Sequence, residues 1–350
     1  MIRFELVRKL SKLGFYFIFL LLASELVLRL IGFKPIEIIP SDHKSNPNGV
    51  FSPDDSLGLK LQPGKYRVSL RDEIFYNVTH DSSGNRTTGK LINSDTVPVI
   101  QIYGCSYAYG WGVDDEKTLS YRLNEKLKEN VISKAVPSHG TVQPLIILRR
   151  LKRKKNLPSK TIYCYNDFHT SRNIIDRYWR QVMFLGLLSS KLDDYDTETI
   201  NNWAYVGAEM ENGNIHLTTK KVKDFYRMFP LRDHSALVNI LESIYINVEV
   251  QRLTSKAFDV TTQMLVEMND ICHSNGGEFI LAIMSCGDST KQIVEFCKNN
   301  GIETVDICPE GQFSDHSQYV VASWDSHPNE FGHEYFADAI YTYLTGDGFE

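Results

Sequence analysis

The sequence has no excess of positive charge and few cysteines. Lysine and arginine number 38 against 43 aspartate and glutamate residues, a formal net charge of −5, so a general basic surface for nucleic acid is not expected. The six cysteines include no Cys-x-x-Cys pair, which argues against a zinc knuckle or a thioredoxin-like redox site. We therefore predict no nucleic-acid partner, and no metal or organic cofactor is implied.

Long apolar runs are also scarce, with one exception near the amino terminus. Leu13–Phe33 carries only Glu25 and Arg29 as charges, and it has about the length of a membrane-crossing helix. Basic residues precede it within residues 1–12, so the positive-inside rule predicts a cytoplasmic amino terminus and a main domain in the periplasm or outside the cell. This indicates a single-pass signal anchor of the inner membrane. A buried core helix and a cleaved signal peptide are the alternatives.

Residues 34–94 are predicted to form a linker followed by a small β-rich segment that leads into the main domain. The composition is rich in Pro, Gly, Asp, Asn and Ser, with short strand-like stretches at Lys65–Leu70 and Glu73–Val78. Such residues mark turns between short strands. We expect this lead-in to pack on the main domain.

Residues 95–345 alternate between apolar strand-like runs and helical patterns. Repeated βα units with right-handed crossovers predict an α/β domain, three layers deep, with a parallel sheet of about five strands between helices. The predicted strands are Val97–Gly104, Val131–Val136, Thr161–Asn166, Glu278–Met284 and Glu303–Cys308. The first and third strands are expected to be neighbours. Two helical patterns, Ser235–Leu253 and Asp259–Ser274, precede the fourth strand.

An aromatic-rich stretch at residues 168–233 interrupts this alternation directly after the third strand. An insertion at the end of a parallel strand is well placed to form a lid or a binding wall. Its aromatic side chains could stack on sugar rings or acyl chains, or they could form the insertion's own core.

Polar residues follow two of the strands and precede the last helical pattern. Ser106 lies in QIYGCSYAYGWG after the first strand, and Asn166 and Asp167 end TIYCYND after the third. Asp325 and His327 lie in WDSHPN, on a predicted loop before the last helix. A serine at a strand end is often only a turn or cap residue. Open parallel sheets, however, bind their ligands at this edge, so the three blocks together indicate a catalytic site.

These blocks, in this order, resemble the SGNH, or GDSL-like, hydrolase family, in its membrane-anchored bacterial branch. The first block is similar to the family's GDS(F/Y) turn, the second to its GxND block and the third to its DxHPN block. The segments YGWGVD after the serine and NEFGH after the histidine are similar as well. The resemblance covers roughly residues 50–345 and implies the flavodoxin-like SGNH fold.

The resemblance implies a serine nucleophile assisted by an imidazole and a carboxylate. Ser106 would attack an acyl carbon while His327 accepts its proton and later returns it to the leaving alcohol. Asp325 would hold the imidazole in the useful tautomer. Asp167 would orient the asparagine loop, and His333 is interpreted as a structural or capping residue of the last helix.

The family also supplies hydrogen-bond donors for the oxyanion of the intermediate. The resemblance assigns these to the backbone of Ser106, to the loop that contains Ser138 and Gly140, and to the side-chain amide of Asn166. The family's glycine in this loop corresponds to Ser138. That departure puts the geometry of the oxyanion hole in question.

A larger departure is Cys105, because the family has an aspartate at this position that braces the nucleophile turn. Cys105 could itself be the nucleophile, or the chain could bind its ligand without turnover. Cys105 and Cys164 end neighbouring predicted strands, as do Cys286 and Cys308, so either pair could form a disulfide in an oxidising space. A bridge at Cys105 would replace the missing brace covalently.

The resemblance predicts a serine ester hydrolase or acyl transferase that acts on an acylated glycan or lipid outside the inner membrane. The alternative is a catalytically impaired protein of the same fold that binds or assembles an envelope polysaccharide. Ordered hydrogen bonds among Ser106, His327 and Asp325 would favour the enzyme.

Overall fold

The computed structural model describes residues 2–37, 43–92, 99–127, 129–189, 202–221, 224, 226–310 and 315–346. Its strands are β1 His43–Asn46, β2 Phe51–Asp54, β3 Gly58–Leu61, β4 Gly64–Leu70, β5 Ile74–His80, β6 Val99–Tyr103, β7 Asn130–Ser133, β8 Lys160–Tyr165, β9 Ala204–Glu211, β10 Asn214–Lys221, β11 Glu278–Ile283, β12 Glu303–Asp306, β13 Val320–Ala322 and β14 Asp325–Pro328. Its helices are α1 Ile2–Leu30, α2 Ser106–Tyr109, α3 Leu119–Lys126, α4 Val142–Lys154, α5 His169–Ile174, α6 Arg177–Ser189, α7 Ala236–His273, α8 Asp288–Asn299 and α9 Glu330–Thr345.

The main domain is built on a five-stranded sheet in the order β12-β11-β8-β6-β7, and all four strand pairs are parallel. This confirms the predicted sheet, including the predicted contact between its first and third strands, β6 and β8. The first residues of the predicted first strand, 97 and 98, lie outside the described residues. Parallel strands that are covered on both faces read as continuous apolar runs, and this is why these strands were visible in the sequence.

Helices cover both faces of the sheet. Ile100 and Ile102 of β6 point to one face, where they share a core with residues of α3 and α9. Tyr103 of β6 and Tyr163 of β8 belong to the opposite core, which is completed by α4, α7 and α8. Successive side chains of a strand point to opposite faces, so one short strand contributes to both cores. The predicted three-layer architecture is confirmed.

The two helices predicted between residues 235 and 274 are in fact one helix, α7, of 38 residues. The prediction of a break was wrong because the intervening residues contain no proline or glycine, so nothing in the backbone stops the helix. Ser235 caps its start by accepting a hydrogen bond from the Val238 N–H. The helix ends just before Gly276 and Gly277.

Two segments near the predicted site show how it is framed. After α2, a short 3₁₀ turn, Asp115–Lys117, leads to Thr118, which caps the start of α3 by accepting a hydrogen bond from the Tyr121 N–H. The block WDSHPN is not an irregular loop. Asp325–Pro328 forms β14, which pairs antiparallel with β13.

The lead-in forms a three-stranded antiparallel sheet, in the order β1-β4-β5, and a hairpin of β2 and β3. The strands predicted at residues 65–70 and 73–78 correspond to β4 and β5. Val68 and Tyr76 of this sheet share a core with Ile100 of the central sheet. The lead-in therefore packs directly on the face of the main domain that also carries α3 and α9.

The described part of the insertion consists of α5, α6 and a hairpin of β9 and β10. Trp179, Trp203, Tyr205 and Tyr226 form a core with Ile175 and with Ile246 of α7. These aromatic residues therefore pack within the insertion and against α7. Residues 190–201 of the insertion lie outside the described residues.

Among the described residues, α1 is the one helix that is long and apolar enough to cross a membrane. Its mean hydropathy reaches 1.9 within Glu5–Leu30, and that segment is not buried inside the protein. The helix ends at Leu30, three residues before the predicted end of the span. Gly32 follows in the left-handed conformation (φ 97°), a common helix stop.

Candidate active site

The serine lies on a sharp turn between β6 and α2. Gly104 links the strand to the turn, and a Cβ atom at this position would lie 2.7 Å from the Cβ of Ala108. A side chain at residue 104 would therefore push the turn away from the sheet. Ser106 is the first residue of α2, so its N–H has no acceptor within that helix. Its side chain is at the carboxyl edge of the sheet and is almost fully buried.

Three predicted residues form a continuous hydrogen-bonded chain. His327 Nε2 lies 2.8 Å from Ser106 Oγ, and His327 Nδ1 lies 2.5 Å from Asp325 Oδ1. The same carboxylate oxygen accepts the His327 backbone N–H at 3.0 Å. Pairing of β14 with β13 keeps Asp325 and His327 on the same side of the strand, since residues two apart share a face. The structure thus brings together residues that are 221 positions apart.

The environment favours an ionised Asp325. Burial raises the pKa of this carboxyl, but the hydrogen bonds and charge of His327, with the neighbouring Trp111 indole, outweigh burial and lower the pKa overall. A carboxylate that accepts the Nδ1 hydrogen leaves Nε2 free to accept the proton of Ser106.

Aromatic rings surround the imidazole. The ring centroids of Tyr107 and Trp111 lie 5.0 and 5.7 Å from that of His327. Phe168, the first residue after the Asn166-Asp167 turn, meets Tyr107 edge to face at 5.5 Å. These rings make an apolar wall beside the serine and the imidazole.

Within the predicted oxyanion loop, the backbone N–H groups of Ser138 and Gly140 have different surroundings. Ser138 has a left-handed backbone (φ 68°), the conformation that a glycine adopts at least cost. The N–H of Gly140 donates to the Gln143 side chain at 2.8 Å, and the N–H groups of His139 and Thr141 also donate within the protein. Ser138 is therefore the remaining backbone donor of this loop.

Gly140 instead shapes the loop, which corrects its predicted role as an oxyanion donor. A Cβ atom at this position would lie 2.7 Å from Asn173 Oδ1 and 3.1 Å from Arg172 Cβ. The loop can pack against α5 only because residue 140 has no side chain. Asn166 directly follows β8 and is buried at the same edge as Ser106, as predicted from the neighbouring strands.

Cys105 is completely buried and makes no disulfide, and the same is true of Cys164. The covalent brace that a Cys105–Cys164 bridge would have provided is therefore absent. The other predicted pair, Cys286 and Cys308, does form a disulfide, with 6.0 Å between its Cα atoms. The imidazole contacts Ser106 and not Cys105, so the geometry favours the serine as the nucleophile.

Arg172, which the sequence analysis did not single out, contacts the residues behind the nucleophile. Its Nη1 donates to the His139 carbonyl at 2.8 Å, and its guanidinium lies close to the Cys105 thiol. The guanidinium is sandwiched between the rings of Phe168 and Trp179, at 4.3 and 4.4 Å. One side chain thus joins the loop that contains Ser138, the turn that carries Ser106 and the insertion.

Arg86 of the lead-in is a second contributor that pattern reasoning missed. This fully buried side chain donates to the carbonyls of Tyr109, Gly110 and Val113, at 3.0, 2.5 and 2.6 Å, and it pairs with Asp115. It therefore holds the segment that follows α2. The signal in the sequence is a lone arginine in a turn, which is not distinctive.

Two further predicted residues occupy supporting positions. The Asp167 backbone N–H donates to Ser285 Oγ at 3.0 Å, so the backbone of Asp167 ties the asparagine turn to the second residue after β11. His333 is fully buried in α9 and accepts the Leu119 N–H at 3.2 Å. Burial, with the charges of nearby arginines, lowers the pKa of His333 to about 3, so the ring is neutral.

The described residues contain one cluster of the kind that binds metal ions, formed by Cys286, Cys308 and Glu310. Its two sulfur atoms are joined in the disulfide, so they offer no thiolate ligands. The site around Ser106 has the donor set of acyl transfer: a hydroxyl, an imidazole, a carboxylate and amide N–H groups.

No protein-family model matches the chain, and no curated protein matches it. Solved structures that are similar to it include TesA (9% identity, TM-score 0.41), aligned over 71% of this chain and 98% of that chain. A member of the lipolytic protein G-D-S-L family from Veillonella parvula DSM 2008 (11% identity, TM-score 0.36) aligns over 71% and 98%, respectively. A carbohydrate esterase family 2 enzyme from Corynascus thermopiles (11% identity, TM-score 0.38) aligns over 80% and 76%. At these scores, the interpretation of the site depends on its own geometry.

Proposed function

We propose that this protein is a serine ester hydrolase or acyl transferase of the SGNH type. The observation that carries the proposal is the hydrogen-bonded chain from Ser106 through His327 to Asp325 at the carboxyl edge of the sheet. A buried serine with an imidazole at 2.8 Å is arranged for general-base activation, which a free hydroxyl needs at neutral pH.

In the proposed reaction, Ser106 Oγ attacks the acyl carbon of an ester as His327 Nε2 accepts its proton. The negative charge on the carbonyl oxygen is stabilised by the N–H groups of Ser106 and Ser138 and by the Asn166 amide. His327, held by Asp325, then gives the proton to the leaving alcohol, and an acyl-serine remains. Water or an acceptor hydroxyl completes the reaction by attacking the acyl-serine, with His327 again as the base.

The proposed substrate is an acylated glycan or lipid. The rings of Tyr107, Trp111 and Phe168 beside the serine support this, since aromatic faces stack on sugar rings and on apolar chains. The domain is proposed to lie outside the inner membrane, anchored by α1. The Cys286–Cys308 disulfide supports an oxidising compartment.

The test is covalent labelling of the full chain, purified in detergent, with a fluorophosphonate probe that reacts with activated serines. We expect wild type and Cys105→Ala to be labelled and Ser106→Ala and His327→Ala to remain unlabelled. Cys105→Ala is the matched control because it changes the adjacent residue and leaves the hydrogen-bonded chain intact. If folded wild type is not labelled, the enzyme proposal fails, and a glycan-binding protein becomes the better interpretation.

A thiol count tests the proposed compartment independently. Protein purified from its native membrane and denatured without reductant should contain four reactive thiols and one disulfide. Six reactive thiols would contradict the assignment to an oxidising space.

A further inference from the structure

The outer end of α1 is docked onto the start of the long helix α7, and the carboxylate of Glu25 makes most of the hydrogen bonds. Glu25 accepts hydrogen bonds from the N–H groups of Ala236 and Leu237, at 3.0 and 2.9 Å, and from the Ser235 hydroxyl at 2.7 Å. Arg29 pairs with Glu25 at 2.6 Å and also donates to the His234 carbonyl at 2.6 Å. Glu25 therefore caps the first turn of α7, and α1 is attached to the fold rather than connected only by a flexible linker.

The position of this contact along α1 sets how deep in the proposed membrane α7 begins. After Glu25 the helix continues to Leu30. The charge in this stretch, Arg29, pairs with Glu25, and Leu26 and Leu30 are 60% and 76% exposed. Five residues of helix correspond to about 8 Å. The start of α7 thus lies beside a part of α1 that is still apolar on its outside, rather than beyond its end.

The first turns of α7 carry an exposed apolar stripe. Leu241, Ile244, Tyr245 and Val248 are all exposed, and their spacing places them on one face of the helix. The exposed Leu231 lies just before α7, in the segment whose Arg232 carbonyl accepts the Ile36 N–H. The apolar surface of α1 therefore continues onto the first turns of α7.

We propose that the stripe formed by Leu241, Ile244, Tyr245 and Val248 lies in the outer surface of the lipid bilayer that α1 crosses. The inference rests on the proposed membrane anchor. Tyrosine with aliphatic residues is a composition that suits the boundary between headgroups and acyl chains. Continuity with the apolar surface of α1 identifies lipid, rather than another protein, as the occupant.

This arrangement orients the active site. The helix α7 ends at His273, four residues before β11 starts, and Glu278 donates to the Ser159 carbonyl at the beginning of β8. The last turns of α7 are therefore at the amino edge of the sheet, and its first turns extend past the carboxyl edge, where Ser106 lies. The active-site edge is the end of the domain that faces the membrane.

The test measures the depth of fluorescent probes in a bilayer. The full chain is reconstituted into phosphatidylethanolamine–phosphatidylglycerol vesicles with or without doxyl-labelled lipid, and single cysteines are labelled with a nitrobenzoxadiazole dye. The probe positions are Leu241→Cys and Ile244→Cys on the stripe, Phe19→Cys within α1 and Lys298→Cys at the exposed end of α8. Wild type sets the background, because its free cysteines are buried.

We expect the lipid quencher to lower the emission at both stripe positions by at least half as much as at Phe19, and to leave the Lys298 probe unchanged. Stripe probes that behave like the Lys298 probe, with Phe19 quenched, would overturn the inference and leave the anchor intact. Stripe probes that are shielded from water but not quenched would also overturn it, since a protein would then cover the stripe. An unquenched Phe19 probe would overturn the proposed anchor itself.

Discussion

Replacing Arg172 with methionine tests whether this arginine positions the oxyanion loop. Methionine retains an apolar side chain of similar length between Phe168 and Trp179, but it loses the hydrogen bond to the His139 carbonyl and the charge beside Cys105. The perturbation thus removes the link between the loop and the nucleophile turn while it preserves most of the packing.

The magnitudes follow from the contacts. A charge-assisted hydrogen bond contributes about 1.5–3 kcal/mol net, and each cation–π contact about 0.5–2 kcal/mol. Removing a buried cation offsets part of this loss. We expect the free energy of unfolding to fall by about 2–4 kcal/mol. Displacement of the Ser138 N–H should lower kcat by about 10²–10³-fold, the usual cost of losing one oxyanion donor.

The assay is hydrolysis of p-nitrophenyl acetate together with the rate of fluorophosphonate labelling, at a temperature where the variant is folded. A positioning role predicts a lower kcat with little change in KM. Arg149→Met is the matched control, because it breaks the ion pair between Arg149 of α4 and Glu267 of α7 without touching the loop. If Arg172→Met is destabilised but keeps the wild-type kcat, Arg172 supports only the fold, and the proposed link to catalysis is wrong.

Three further predictions concern the site and its support. Asp325→Asn should lower kcat by about 10³–10⁴-fold without loss of folding, since His327 loses the partner that selects its tautomer; an unchanged rate would remove Asp325 from the mechanism. Arg86→Ala should lower the free energy of unfolding, measured in urea, by about 3–5 kcal/mol, because it leaves a buried carboxylate and several carbonyls unpaired. As a control, Lys291→Ala breaks the exposed ion pair with Asp288 and should leave the free energy of unfolding unchanged. If Arg86→Ala and Lys291→Ala lower this energy equally, the reasoning is wrong. Burial and nearby Arg172 lower the pKa of His139 to about 4. Between pH 6.5 and 4 the unfolded chain therefore binds a proton that the folded chain excludes, so the free energy of unfolding falls as the pH is lowered through this range. His139→Gln should show a shallower fall, and an identical pH dependence in the variant would refute this assignment.

Much of the central architecture could be predicted because its signals are local. The strands of the sheet are short apolar runs, and their order follows from the handedness of βα crossovers. The break predicted within α7 was wrong because a change in apolar pattern does not stop a helix whose residues all tolerate helical backbone. The second half of α7 is buried against the sheet and the first half projects beyond it, so the spacing of apolar residues differs between the halves although the backbone is continuous.

The candidate site residues could be proposed from the sequence, whereas those that support them could not. Ser106, Asn166, Asp325 and His327 lie at strand ends or before a helix in recognisable blocks. Arg86 and its partners, by contrast, come from separate segments and show no spacing that links them.

The sequence by itself determined the βα framework, the apolar first helix and the blocks that carry the candidate triad, because each depends on neighbours along the chain. Only the tertiary structure decided that Gly140 donates to Gln143, that Cys105 packs beside Arg172 in place of an aspartate, and that Glu25 caps α7. Most of these contacts join residues from separate elements. They form only when packing brings the two groups within a few ångströms of each other, and the order of residues along the chain does not show this.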